Sequence, residues 1–249
     1  MFLFTHTKLS RTKKKGPDAT HPGLSREHKN MSRRNLMVET VSVTLVLFVL
    51  VLLLQTDLLS GMLRRIGHSL IPLTCILLPW LILKRRREPL REFGIHLEDF
   101  SRSLRTGILI SLLLLTPYFL VFALWYKGPS VDLSGWTMIT RWLQMALYQF
   151  CYIAFPEEFF FRGYLQTRLN QGLGKPFQLL GVQAGWGLFL TALVFMLFHL
   201  VYAVNLWTLG VLLPALAFGW LREKTGSITA STVFHALSNI ILFTLQGRF

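Results

Sequence analysis

Residues 152–166 read YIAFPEEFFFRGYLQ, with Glu157, Glu158 and Arg162 set among aromatic and aliphatic side chains. Hydrocarbon does not solvate such groups, so they belong either at the rim of a membrane or paired inside a helical bundle. The flanking sequence favours a membrane protein. Apolar runs at about 36–55, 66–83, 106–126, 138–156, 184–203, 206–221 and 228–246 each approach the ~20 residues with which an α-helix crosses a bilayer. The expected fold class is all-α, a polytopic transmembrane helical bundle of about seven spans, six to eight at the limits.

Composition points the same way. Of 249 residues, 52% are hydrophobic and only 15% charged, outside the range of ordinary soluble domains. Lys and Arg number 26 against 12 Asp and Glu, a net charge of +14. A balance this basic suits nucleic acid or an anionic membrane surface. The basic residues crowd the first 34 positions and the short stretches between apolar runs, where they meet lipid headgroups and set topology, so no nucleic-acid partner is expected. Cys75 and Cys151 lie inside apolar runs and read as small hydrophobes. No secretory signal peptide is expected, because the first apolar run is long enough to remain as an anchor.

Residues 1–34 read as a disordered basic cytoplasmic tail whose partner is anionic lipid headgroups, with Met31 as an alternative start. Residues 35–249 form the bundle, with a catalytic core at about 138–246. In KRRREPLREFGIHLEDFSRSLRTG (84–107), Leu90, Phe93, Leu97, Phe100 and Leu104 recur at steps of three and four, the pattern of an amphipathic helix lying on the surface. The tail, Lys84 to Arg87, Arg222 and Lys224 share the cytoplasmic side, and Arg64 and Arg65 run against that trend. The stretch 138–169 either breaks or continues as one helix ~48 Å long, which would carry Glu157 deep into the bundle.

The chemistry-bearing residues come in three groups. Glu158 and Arg162 stand at i, i+4 with the acid first, the favourable order for a same-face ion pair, which leaves Glu157 free of that partner. Phe195 and His199 repeat the i, i+4 spacing in FMLFHL (195–200), and His235 and Asn239 repeat it in FHALSNI (234–240). Facing one cavity, these groups satisfy one another and a few waters, whereas apart each needs its own buried partner. The set suits peptide hydrolysis without a covalent intermediate: Glu157 takes a proton from water, His199 positions that water, and His235 and Asn239 donate to the oxyanion. Ser238 lies three residues from His235 with no Asp in the spans to complete a triad. Glu157, His199 and His235 could instead ligate zinc; this alternative stays open but is not favoured, since no HExxH is present. Two non-proteolytic readings also stand: an immunity or assembly factor with a structural polar core, and a proton-coupled transporter.

Together EEFFFR (157–162), FMLFH (195–199) and HALSN (235–239) resemble the EExxxR, FxxxH and HxxxN pattern of the CAAX-protease and bacteriocin-processing family, also called the Abi family, of intramembrane endopeptidases. The resemblance covers about residues 148–245. It implies a glutamate-dependent peptidase with no cofactor, in which Glu157 and His199 activate water, His235 and Asn239 form the oxyanion hole, and Glu158 with Arg162 supports the site. It further implies a peptide or protein substrate in the membrane, and the compact size suggests a multi-pass protein of the bacterial inner membrane.

Overall fold

In a computed structural model, residues 32–56, 60–125, 136–202 and 204–245 are described. The cationic tail expected over residues 1–34 falls largely outside them, and its last two residues, Arg33 and Arg34, already belong to the first helix.

Serine side chains start the first two helices. Ser32 accepts from Asn35 N at 3.2 Å ahead of α1 (Arg33–Gln55), and Ser60 accepts from Leu63 N at 3.4 Å ahead of α2 (Gly61–Arg85). Helix α3 spans Phe100–Trp125. A continuous helix then occupies 136–173, built of α4 (Trp136–Leu147), a π-helical segment Tyr148–Ala154, α5 (Phe155–Glu158), a second π segment Phe159–Leu165 and α6 (Gln166–Leu173). After it come a hairpin of β1 (Phe177–Leu179) and β2 (Val182–Ala184), α7 (Trp186–Tyr202), a single turn α8 (Leu206–Leu209), α9 (Leu212–Thr225) and α10 (Thr229–Leu245). The chain is an all-α polytopic membrane bundle. Helices α1 and α2 and the Phe100–Val121 part of α3 are long and apolar enough to span, and α7 and α10 are shorter apolar helices. The long helices turn most of their surface outward, with Val46, Leu53, Leu109, Leu112 and Leu113 exposed where lipid tails would lie.

The long-helix alternative holds for 138–169, and the two π segments explain how one helix carries so much polarity. Pro156 has no N–H to give and its ring crowds the carbonyl four residues back, and the π segment Tyr148–Ala154 ends just before it. In the second segment, Gly163 lets residues 90–93 pack against the helix: a Cβ there would sit 3.0 Å from Phe93 O and 3.1 Å from Phe159 Cδ2.

Two expectations need correction, and one element was not foreseen. Residues 84–107 are not one amphipathic helix: α2 ends at Arg85, a 3-10 turn covers Leu90–Phe93, and α3 begins at Phe100. Pro89 and the left-handed Gly94 (φ 80°) divide the segment, so that Phe93 is buried while Leu97 is 86% exposed. Glycine suits this position because side chains rarely adopt its φ and a Cβ would lie 3.1 Å from the backbone Ile228 N. The run 206–221 is likewise broken, between α8 and α9, where Gly210 and Pro214 weaken the helix. The hairpin was not anticipated; its two-residue turn uses positive φ at both Leu180 (48°) and Gly181 (76°).

The basic end of the bundle is cross-tied. Arg86 at the end of α2 pairs with Glu39 of α1, with Nε 3.0 Å from Oε2, and Arg168 of α6 pairs with Glu88 at 2.8 Å. Gly94 O accepts from Ile228 N at 3.0 Å, fixing the start of α10 against the loop that precedes α3. These ties set the depth at which α6 and α10 present their inward side chains.

Candidate active site

Helix phase brings the polar groups together. A π turn closes on i+5 instead of i+4, so each π segment sets the residues after it back by about one position, ~100°. Across the first segment, Gln149 and Glu157, eight residues apart, therefore share a face much as an i, i+7 pair does in an α-helix. Across the second, Glu158 and Gln166 are related in the same way, and both are buried.

At the centre lies a sealed ion pair. Glu158 and Arg162 are both fully buried, with Arg162 Nη1 donating to Glu158 Oε1 at 3.0 Å. Arg162 Nη2 donates to Ala215 O of α9 at 3.1 Å, and the guanidinium carbon lies 4.4 Å from the Phe195 ring centre and 4.8 Å from that of Phe218. Aromatic faces and a helix carbonyl thus replace the water the cation gave up. Glu158 Oε1 also meets His235 Nδ1 at 2.9 Å, and the His235 ring stacks on Phe218 at 4.8 Å with an interplanar angle of 16°. A carboxylate at Nδ1 orients the imidazole and turns Nε2 the other way, toward Glu157 Oε2 at 3.8 Å.

Glu157 differs from its neighbour. Its side chain is 23% exposed where that of Glu158 is sealed, and its Oε2, like Glu158 Oε2, receives no hydrogen bond from the described residues. On α7 the Phe195 ring lies 4.4 Å from that of His199 and 5.7 Å from that of His235, which sets the two histidines on either side of one phenylalanine. His199 Nδ1 lies 2.9 Å from Phe195 O, the carbonyl one turn back on α7, so Nδ1–H donates there and Nε2 is left as the acceptor. Asn239, one turn beyond His235 on α10, donates from Nδ2 to Gln149 Oε1 at 3.0 Å. Ser238 donates its hydroxyl to Phe234 O at 2.7 Å, within its own helix.

The structure thus gathers Glu157, Glu158, Arg162 and His235, sets His199 beside them across the Phe195 ring, and ties Asn239 to the same long helix through Gln149. Gln149, Phe218 and Ala215 were missed in the sequence. Phe218 and Ala215 carry no polar side chain, and Gln149 stands 90 residues from its partner. Among the described residues no three His, Cys, Asp or Glu side chains are arranged to hold a metal ion.

A multi-pass helical membrane protein with an acid–imidazole site sealed among its helices is the class that fold and site define. Residues 139–241 match the family of Rce1-like type II CAAX prenyl endopeptidases. Over that stretch, less than half of its length, the chain is similar to this family of endopeptidases, and the protein is a peptidase. The match contains every residue from Gln149 to Asn239 described above. No curated protein and no solved structure matches the chain.

Proposed function

We propose that the protein is an intramembrane endopeptidase that hydrolyses a peptide bond of a membrane-associated or secreted peptide or protein, using water activated by Glu157 and His199. One observation carries this reading: of two adjacent glutamates, Glu158 is sealed from solvent with Arg162 and His235 on its Oε1, while Glu157 forms no pair with an arginine among the described residues and is 23% exposed, so that a water can reach it. A carboxylate so placed can hold a water and take its proton. His199 Nε2, freed by the Nδ1 bond to Phe195 O, accepts the second hydrogen of that water and aims its lone pair. The oxygen adds to the scissile carbonyl, whose oxyanion takes hydrogen bonds from Asn239 Nδ2 and from His235 Nε2, which donates there when the ring carries a proton on both nitrogens, Nδ1–H being given to Glu158. Collapse of the intermediate breaks the C–N bond, and Glu157 returns its proton to the leaving amine.

Glu158 and Arg162 hold this arrangement and do not touch the substrate. The match to a peptidase family supports this reading over a transporter or a structural polar core. No step requires a metal. The basic end of the bundle, with Arg86, Arg168 and Arg222, suits the cytoplasmic side of a bacterial inner membrane, and anionic headgroups are the partners of the cationic N-terminal stretch.

The test is comparative peptidomics of cells carrying the wild type or Glu157→Gln. Peptides with new termini should be present with the wild type and absent with the variant. Identical peptide spectra would remove the reading.

A further inference from the structure

We infer that Gln149 is a positioning residue of the hydrolytic site, holding the Asn239 amide so that its second N–H faces the reacting carbonyl. The inference rests on Asn239 being an oxyanion donor, as proposed above.

Gln149 is only 3% exposed and lies within the first π segment of a helix whose neighbouring side chains Leu143, Leu147 and Tyr148 face outward. A buried amide among lipid-facing neighbours is costly unless it is bonded. Among the described residues its bond is to Asn239, at 3.0 Å. Without the π segment, Gln149 would lie roughly 80° away from the face that carries Glu157. The insertion therefore places Gln149 on the side of the helix that meets α10.

The chemistry of the pair is directional. Asn239 Nδ2 carries two hydrogens, and giving one to Gln149 Oε1 fixes the plane of the amide, its handedness and the direction of the other. An unrestrained asparagine could turn its carbonyl toward the site, and a carbonyl opposite a developing oxyanion repels it. Gln149 thus selects the donating orientation. It does so from the same rigid helix that carries the general base, so the distance between base and oxyanion donor is fixed by one element.

Short synthetic peptides of randomised sequence are incubated with the purified full-length protein in lipid nanodiscs. The peptide cut fastest by the wild type then serves to measure kcat and KM. Gln149→Leu, which removes the acceptor, should lower kcat by about 10- to 100-fold with KM changed by less than about threefold. Gln149→Glu, which keeps an acceptor oxygen, should stay within about fivefold of the wild type. In combination with Asn239→Ala, Gln149→Leu should cost nothing further, because the residue it orients is gone. Losses that multiply in the double variant, or a Gln149→Leu enzyme at wild-type kcat, overturn the inference. If Gln149→Leu does not fold, Gln149→Glu decides, and a folded Gln149→Glu protein slowed beyond about tenfold overturns it. Should Glu157→Gln cut as fast as the wild type, it is the proposed function that fails; an inactive Glu157→Gln beside a fully active Gln149→Leu sinks only the role of Gln149.

Discussion

Replacing Arg162 by leucine isolates what the sealed ion pair contributes. The substitution removes the Nη1 bond to Glu158 and the Nη2 bond to Ala215 O, and leaves a fully buried carboxylate facing only His235. Breaking one side of a buried pair costs about 3–5 kcal/mol, most of it the penalty of the stranded charge. At about 2–4 °C per kcal/mol for a chain of this size, the unfolding midpoint should fall by about 6–20 °C. The double variant Glu158→Leu/Arg162→Leu strands no charge and should recover about half of that loss or more. It should nevertheless be inactive, because His235 has lost the partner at Nδ1 that turns Nε2 toward Glu157. Thermal unfolding of detergent-solubilised protein, followed by tryptophan fluorescence, compares Arg162→Leu, Glu158→Leu and the double variant with the wild type. An Arg162→Leu protein as stable as the wild type, or a double variant as unstable as the two single losses combined, would refute this electrostatic account.

Other outcomes follow from single contacts. Gly163→Ala should destabilise by about 1–3 kcal/mol in the same unfolding assay, since its Cβ meets Phe93 O and the Phe159 ring at 3.0 and 3.1 Å. Ser238→Ala should cleave peptide at the wild-type rate, its hydroxyl being engaged with Phe234 O; a rate loss above about tenfold would point to a serine mechanism. Prolonged dialysis against a strong chelator should leave the cleavage rate of the purified protein unchanged, and loss of activity restored by added zinc would require a metal in the site.

Much of this architecture is legible in the residues themselves, for a physical reason. A chain that must satisfy every backbone group without water has little choice but the helix, so the apolar runs announce the bundle. The pairing of Glu158 with Arg162 follows from i, i+4 geometry alone, and the structure shows it at 3.0 Å. What stayed hidden depends on neighbours distant in sequence. The break in 84–107 does carry local marks, Pro89 and Gly94, but the apolar spacing of three and four across them outweighs both when the segment is read alone. The π segments leave no mark on hydrophobic periodicity, because the face they rephase is lined by Phe, Leu and Tyr that read as apolar in any register. Gln149 lay within a run read simply as a span, with no motif to single it out. The hairpin at 177–184 is too short to show alternation, and Leu180 is an unusual residue for a turn with positive φ.

The claim on which the mechanism rests is that Glu157 removes a proton from water while Glu158 does not. It is tested most directly by single-turnover cleavage of the selected peptide with purified wild type and Glu157→Gln in nanodiscs, with folding checked by the unfolding midpoint. The account expects Glu157→Gln to keep its midpoint and to slow cleavage by about 10²-fold or more. A folded Glu157→Gln protein that cleaves at the wild-type rate would contradict it.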